Sequence, residues 1–545
     1  MKSGLPDSHP SIVSSHSRQW LGLSLLFVLL RTFPSITYPI ARDQATFCFI
    51  GQRLLEGKRL YLDLWDNKPP GIFYIYALIV KVFGTAMWSV GVVDIVWLLV
   101  ISFFIFELTE RFLGTAAAVI AVTFHATWRV WMGYWDAAQP ENFLVLFVIV
   151  AYFLSSSGGR TRWIYDVLSG LLFGAAFWLK YNALAFVPLV VLVPYLDFGP
   201  LDEGSPLPRL RLPGREWVIH VGVWAAAFAV AVAAVLTYFW WVDAWPAMEE
   251  VQFKVLPRYN AMAIGRSQDY WALVTSHANR YLGPSTCIAA LAAIIVARRT
   301  KTLAQAVPVF LAALMGTVSL AMQARLPSYA FETCYPFFAM LWGYLGVKVF
   351  EGIRFIARWC SGRGWRIATV LVWLVFANLI YLPLPNEAVQ LKLCVNDLRE
   401  WRKDRNAFYA NYPWAHPISH YGGQMQVIQY LGEHSTPQEG VFIWGSEPLI
   451  YFLSKRNPPT RFVSNLGLMS LWTPPTWRPE LMRDLDASPP RYIIVERGDQ
   501  VPMISFHFLD SEEYLQQRFP SLLRFVTSHY QKVADFQAFA IYRHD

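Results

Sequence analysis

The chain has 545 residues, of which 55% are hydrophobic and 16% aromatic but only 15% charged, against roughly 25% charged residues in a soluble globular protein. Its net charge of +8 needs no nucleic acid to account for it, because Lys and Arg gather in particular loops, as they do on the inner face of membrane proteins. Five scattered cysteines (Cys48, Cys287, Cys334, Cys360 and Cys394), with no CxxC spacing, argue against a metal cluster or disulfide framework and read as small buried hydrophobes.

Apolar runs recur through residues 1–383, among them "WSVGVVDIVWLLVISFFIF" and "WVIHVGVWAAAFAVAVAAVLTYFWW". Runs of roughly 17–25 residues span hydrocarbon as helices, so the pattern predicts a polytopic α-helical membrane protein. Lys2 and Arg18 precede "WLGLSLLFVLL" as in a signal peptide, but no small-residue cleavage site follows. This predicts an uncleaved first span over 20–37. The later spans are expected near 89–107, 114–127, 142–154, 165–180, 182–196, 217–241, 284–297, 303–321, 331–348 and 367–383, about 11 in all.

The stretch 72–83 is too short for a comfortable span and follows Pro69–Pro70, which keep the preceding residues out of a helix. If it does not cross, the inner loops collect Arg160 and Arg162, then Arg209, Arg211 and Arg215, then Arg298, Arg299 and Lys301, and last Lys348, Arg354, Arg358, Arg363 and Arg366. If it crosses, all of these move outside. The positive-inside bias therefore predicts a re-entrant or interfacial helix.

With that parity the outer face receives 38–88, 128–141, 242–283, 322–330 and the whole of 384–545. The last piece reads as a soluble α/β domain, with strands at 441–444, 461–464, 491–496 and 539–543 and helices near 424–433, 447–454 and 511–518. The expected domains are thus 1–383, membrane-embedded, and 384–545, extracytoplasmic.

The outer loops hold the chemistry. Residues 44–57 fit an amphipathic helix at the interface, with Phe47, Ile50, Leu54 and Leu55 on one side. Asp43 precedes it, either as its N-cap or as a carboxylate at a cavity mouth, and the two roles are compatible. Lys68 stands before the proline pair. Asp136 and Glu141 lie in the next outer loop, where Glu141 also suits a helix start. Lys180 ends "GLLFGAAFWLK" on the outer side, against the charge bias, which suits an anionic partner. The long loop 242–283 carries Arg258 and Arg266, and "QARLPSYAFE" places Arg325, Tyr329 and Glu332 where two spans meet. Arg31 and Asp94, in the outer halves of their spans, are read as a structural pair. Carboxylates serve as general bases or metal ligands, and Arg and Lys suit phosphate.

An outer-loop Asp after the first span, a KPP motif about 25 residues on and an acidic residue in the following outer loop together resemble the GT-C glycosyltransferases. The similarity is to the glycosyltransferase 39 class, which includes protein O-mannosyltransferases and the aminoarabinose transferase of lipid A. "WDAAQPENFLVLF", "GLLFGAAFWLKYNALAFVP", "QARLPSYAFETCYPFFAMLWG" and "VFIWGSEPLIYFLSKRNPPTRF" resemble the bacterial members. The resemblance implies a GT-C fold with a C-terminal soluble domain, and inverting transfer of a sugar from a polyprenyl-phosphate donor to a hydroxyl of a glycan, lipid or protein. It implies action at the periplasmic face of a bacterial inner membrane. It also assigns Asp43 as the catalytic carboxylate, Glu141 as a second acidic residue and Lys68 as the lysine near the carrier phosphate. Lys180, Arg325, Tyr329, Arg258 and Arg266 complete the candidate substrate-binding set, and Asp43, Lys68, Glu141, Lys180 and Arg325 are expected to share the mouth of a lipid-accessible cavity. Several members have an Asp-Glu pair where this chain has Asp43–Gln44. That places the load on Asp43 and weakens a divalent metal as cofactor, so no metal ligands are assigned. A transporter or flippase of lipid-linked sugars is the rival reading, but it expects pseudo-repeats or paired broken helices, which the sequence does not show.

Overall fold

The structure, a computed structural model, describes residues 15–157, 162–197, 209–210, 214–265, 293–298, 300, 302–323, 327–359, 395–413, 415–416 and 418–544. The chain falls into two compact units. One is drawn from Met1–Ser35, Asp94–Ala234 and Ser267–Val395, the other from Ile36–Val93, Val235–Arg266 and Asn396–Asp545.

The first unit is helical. Among the described residues of the chain, His16–Thr37, Ser89–Leu113 and Arg215–Trp241 are long and apolar enough to cross a membrane, and Gly71–Phe83, Pro140–Ser155, Tyr181–Val191 and Gln305–Ala321 are shorter apolar helices. The helices Thr115–Met132 and Tyr335–Trp359 pack closely. Gly343 permits this, since a Cβ there would lie 2.3 Å from the Ala117 carbonyl oxygen. Small residues let apolar helices approach in this way where burial of hydrocarbon gives no driving force. The expected span 367–383 lies outside the described residues.

The stretch 182–196 does not form the single span expected of it. It breaks into a 3-10 segment, Tyr181–Phe186, and one helical turn, Val187–Val191. The break is stabilised by Asn182, whose amide donates to the Ser319 carbonyl (3.1 Å) and hydroxyl (2.9 Å). Non-helical backbone inside a membrane protein is tolerated where such internal partners exist.

In the second unit the helix Gly71–Phe83 starts at Pro70 and ends at Gly84, whose φ of 63° is a left-handed value that favours glycine. Thirteen residues reach about 20 Å, short of the ~30 Å hydrocarbon core. Ile72, Phe73, Tyr76 and Val80 are buried, whereas Tyr74, Leu78 and Val82 form an exposed apolar stripe. That is the pattern of a helix with one face on protein and the other available to lipid.

The helix Arg42–Leu55 departs from expectation. It does not lie bare at an interface: Arg42, Gln44–Gly51 and Arg53 are buried, because it packs between the Gly71–Phe83 and Pro448–Ser454 helices. Phe47 meets Phe73 and Tyr76 at 5.7 and 5.2 Å between ring centroids. Gly51 allows the contact, since a Cβ there would fall 2.6 Å from the Ala77 nitrogen.

The C-terminal part of this unit holds a four-stranded sheet in the order Val441–Trp444, Tyr492–Glu496, Phe539–His544, Tyr530–Phe536, with the first pair parallel and the others antiparallel. Helices Tyr421–His434, Pro448–Ser454 and Ser511–Arg518 fall where the sequence places them. The expected strand 461–464 is irregular instead. Its backbone is engaged elsewhere, the Arg461 carbonyl accepting from the Trp65 N–H at 2.8 Å. The sequence reading also missed Tyr530–Phe536, a mostly polar edge strand whose Lys532–Asp535 ion pair blurs the apolar alternation.

Candidate active site

The Arg42–Leu55 helix is capped at its entry by Gln44, whose side-chain oxygen accepts from the Ala41 N–H at 2.8 Å. Asp43 therefore does not act as the N-cap. It sits in the first helical turn, where unpaired N–H groups and the helix dipole favour an anion. Its carboxylate lies 3.7 Å from Lys68 Nζ, and the two side chains are 28% and 24% exposed. Lys68 Nζ also stands 4.9 Å from the centroid of the Phe47 ring, one turn along the helix from Asp43.

The loop that presents Lys68 is fixed through its backbone. The Lys68 N–H donates to Asp66 Oδ1 at 2.9 Å. Its carbonyl accepts from the Tyr61 hydroxyl at 2.7 Å and from Gln252 Nε2 at 3.1 Å. Gln252 donates as well to Tyr61 Oη at 3.0 Å. It lies in a π-helical segment, Glu250–Val255, a distortion frequent at functional sites. Tyr61 adopts a φ of 68°, a strained value for a residue with a side chain. The side of Trp65 is walled by Trp472 and Trp477, with ring centroids at 6.1 and 5.0 Å, and Arg461 ties the Tyr61 carbonyl (3.2 Å) to Glu250 (3.1 Å).

In the other unit, Glu141 occupies the first turn of the Pro140–Ser155 helix and is fully buried. Lys180, in extended backbone between the Arg162–Leu179 helix and the 3-10 segment, donates to Glu141 Oε1 and, at 2.6 Å, to Gln323 Oε1. Its Nζ lies 6.0 Å from the Tyr329 ring centroid. Glu141 Oε2 is buried without a hydrogen-bond partner among the described residues. Nearby in sequence, Arg129 grips both oxygens of Asp94 at 3.0 and 2.9 Å and reaches Glu332 at 3.4 Å. Asp94 also accepts from the Ala138 N–H at 2.9 Å. Asp94 thus finds its ion-pair partner in Arg129, where Arg31 was expected. In the connecting loop, burial lifts Asp136 to about 7 against the opposing pull of Ser328 and Arg129.

The candidates are therefore placed as two sets, Asp43 with Lys68 in one unit and Glu141 with Lys180 and Tyr329 in the other. Arg258 is exposed on the Leu256–Gly265 helix. Arg266 and Arg325 lie outside the described residues.

Residues 67–204 match the family described as dolichyl-phosphate-mannose-protein mannosyltransferase. The fold is similar to that of ArnT from Cupriavidus metallidurans in the apo state, with a TM-score of 0.50 at 13% identity over 97% of this chain and 98% of that one. The chain shares the fold of that protein and, over residues 67–204, is similar to a mannosyltransferase family. The crystal structure of the same ArnT bound to undecaprenyl phosphate aligns with a TM-score of 0.48 at 13% identity, over 96% of this chain and 98% of that one. The Archaeoglobus fulgidus oligosaccharyltransferase tethered with an acceptor peptide aligns with a TM-score of 0.47 at 11% identity, over 89% of this chain and 69% of that one. No curated protein is significantly similar in sequence.

The segment that matches the family opens at Asn67–Lys68 and includes Glu141 and Lys180. Arg129, Gln252 and Gln323 escaped the sequence reading. Arg129 falls inside the Thr115–Met132 helix, where the pattern suggested loop, and neither glutamine carries a local signal. Among the described residues no group of three or more His, Cys, Asp or Glu is disposed to hold a metal ion. Asp43 instead faces a lysine, and the side-chain oxygen of Gln44 is engaged by Ala41.

Proposed function

We propose that this protein is a glycosyltransferase that moves a sugar from a polyprenyl-phosphate donor to an acceptor hydroxyl, with inversion, at the periplasmic face of a bacterial inner membrane. The Asp43–Lys68 pair carries the reading. It would set a general base beside a phosphate-binding cation, both part-exposed, with the lysine's backbone N–H and carbonyl both hydrogen-bonded and the family match beginning one residue before it.

In this scheme Asp43 accepts the proton of the acceptor hydroxyl as its oxygen bonds to the anomeric carbon. The bond from that carbon to the phosphate oxygen breaks, and polyprenyl phosphate leaves with one more negative charge. A single displacement inverts the centre. The base and the departing phosphate then lie on opposite sides of the sugar, farther apart than the 3.7 Å between Asp43 and Lys68. The flexible lysine therefore swings to the donor phosphate on binding and leaves the carboxylate to the hydroxyl. An ammonium aimed at developing phosphate charge in a site of reduced dielectric stabilises the transition state. Lys180, held between Glu141 and Gln323, offers phosphate a cation of the same chemistry. Glu141, in the same unit as Lys180, is buried with one oxygen unengaged among the described residues and is a second acidic candidate.

The test is mass spectrometry of membrane lipids in cells lacking the gene. A polyprenyl-phosphate sugar accumulates and is cleared by the wild-type protein. The Asp43→Asn protein, produced at the same level, clears it about 10²–10⁴ times more slowly. Clearance at the wild-type rate removes Asp43 from the mechanism.

A further inference from the structure

The residue before Asp43 carries a buried charge cluster that the transfer scheme does not use. Arg42 Nη2 donates to Glu447 Oε1 at 2.6 Å, to Glu496 Oε1 at 3.1 Å and to the Ile418 carbonyl at 2.9 Å, and its Nε reaches Glu447 at 3.2 Å. All three charged side chains are at most 6% exposed. Each partner comes from the C-terminal part of the same unit: Glu447 enters the Pro448–Ser454 helix, and Glu496 ends a central strand and accepts from the Ser446 N–H at 2.7 Å. Two further contacts flank the clamp. The Tyr421 hydroxyl donates to the Ile40 carbonyl at 3.0 Å, and Phe49, two turns beyond Arg42 on the same helix face, stacks on Tyr451 at 5.2 Å. The backbone is thus pinned to the C-terminal part before and after Asp43, whose own side chain turns to Lys68.

We propose that Arg42 is a positioning residue for Asp43. Clamped between Glu447 and Glu496, it fixes the first helical turn so that the C-terminal segment sets the attitude of the catalytic carboxylate without touching substrate. This rests on the reading of Asp43 as the base.

The charges make the clamp distinguishable from mere packing. Around Arg42 stand Glu447, Glu496, Asp499, His416 and His420. One guanidinium faces three carboxyl groups. Burial, with the charge of Asp499 adding to it, holds Glu447 and Glu496 above the usual carboxylate range against the pull of Arg42. The two histidines are pushed the other way, first by burial and then by Arg42. With both carboxyl groups held upward, rising pH sets two buried anions against each other in the clamp.

The experiment uses the full-length protein in detergent micelles, supplied with the polyprenyl-phosphate sugar isolated from the deletion strain. Arg42→Gln lowers kcat at least tenfold with KM for that lipid within twofold, and undecaprenyl phosphate binds as before. Arg42→Lys, which keeps the charge but not the fork, recovers part of kcat. Glu496→Gln, which mimics the protonated carboxyl, is expected to show a shallower fall of kcat with rising pH than the wild type. A folded Arg42→Gln protein with wild-type kcat overturns the proposal. So does an unchanged pH profile in Glu496→Gln, which decides the matter if Arg42→Gln does not fold. If Asp43→Asn retains full transfer, the base assignment has failed. If only Asp43→Asn is inactive and the Arg42 and Glu496 variants behave as wild type, the positioning role alone has failed.

Discussion

Lys68 Nζ lies 3.7 Å from Asp43 Oδ2 although the two residues sit on separate elements, a helix entry and the loop before a proline pair. At about a quarter exposed, such a pair gains little stability from its attraction, since part-hydrated ion pairs contribute about 0–1 kcal/mol. Its position is therefore better explained by chemistry than by folding. Lys68→Met is expected to leave the thermal unfolding midpoint in detergent within about 2 °C of wild type, while clearance of the accumulated lipid-linked sugar falls at least tenfold. Lys68→Arg is expected to restore part of the clearance. A Lys68→Met protein with normal clearance would show that the lysine has no part in handling phosphate.

The backbone of Lys68 is held by two donors on one carbonyl, the Tyr61 hydroxyl and the Gln252 amide. A typical hydrogen bond contributes about 0.5–1.5 kcal/mol net. Tyr61→Phe or Gln252→Ala alone should therefore cost about that much stability, each leaving the other donor in place. The double variant is expected to lose more than the two single effects combined, because both donors have gone from one carbonyl. A double-mutant cycle on chemical unfolding checks this, and strict additivity would mean that the two donors act independently.

The two ends of the Asp43–Lys68 pair were legible because their signals are local. An Asp follows the first apolar run, and two prolines break the next one. The strands 441–444, 491–496 and 539–543 were legible for the same kind of reason, since short β-branched and aromatic runs stand between turn residues. Segment 461–464 has the same local look, but Arg461 is used by Trp65, Tyr61, Glu250 and Glu480, and tertiary demand overrides propensity. Arg42 finds its carboxylates 405 and 454 residues away, a separation at which periodicity carries no information. An Asp at position 43 suggests a cap because Asp is a common one, yet Gln44 caps the Ala41 N–H through the reciprocal third-position contact.

Arg129 is buried with Asp94 on one side and Glu332 on the other. Removing one member of such a pair strands a charge away from water, at a cost of about 3–5 kcal/mol. Asp94→Ala is expected to lower the unfolding midpoint sharply. It should also loosen loop 133–139, because the Ala138 N–H loses its acceptor. Arg129→Met combined with Asp94→Leu and Glu332→Gln should recover much of the loss, as no charge of the buried cluster is then left facing a missing partner. Thermal melts monitored by size-exclusion chromatography would separate the three proteins. An Asp94→Ala protein as stable as wild type would show that water or lipid headgroups reach Arg129.

The paired glutamates beside Arg42 set the sign of a pH effect on stability. Glu447 and Glu496 are both held above the ordinary carboxylate value of 4.5 by burial, with Asp499 adding to the effect and Arg42 opposing it. The folded protein therefore binds more protons at this site than the unfolded chain does, and the derivative of unfolding free energy with pH is negative there. The contribution is fully present below the unfolded value, and it is lost as pH rises through the raised, folded values. This runs opposite to the usual carboxylate, whose folded value is depressed. Unfolding midpoints measured from pH 5 to 9 should accordingly fall more steeply for wild type than for Glu496→Gln, with the two curves converging toward acid. A wild-type curve that rises with pH relative to Glu496→Gln would mean that the guanidinium outweighs burial and that both glutamates are ionised in the clamp.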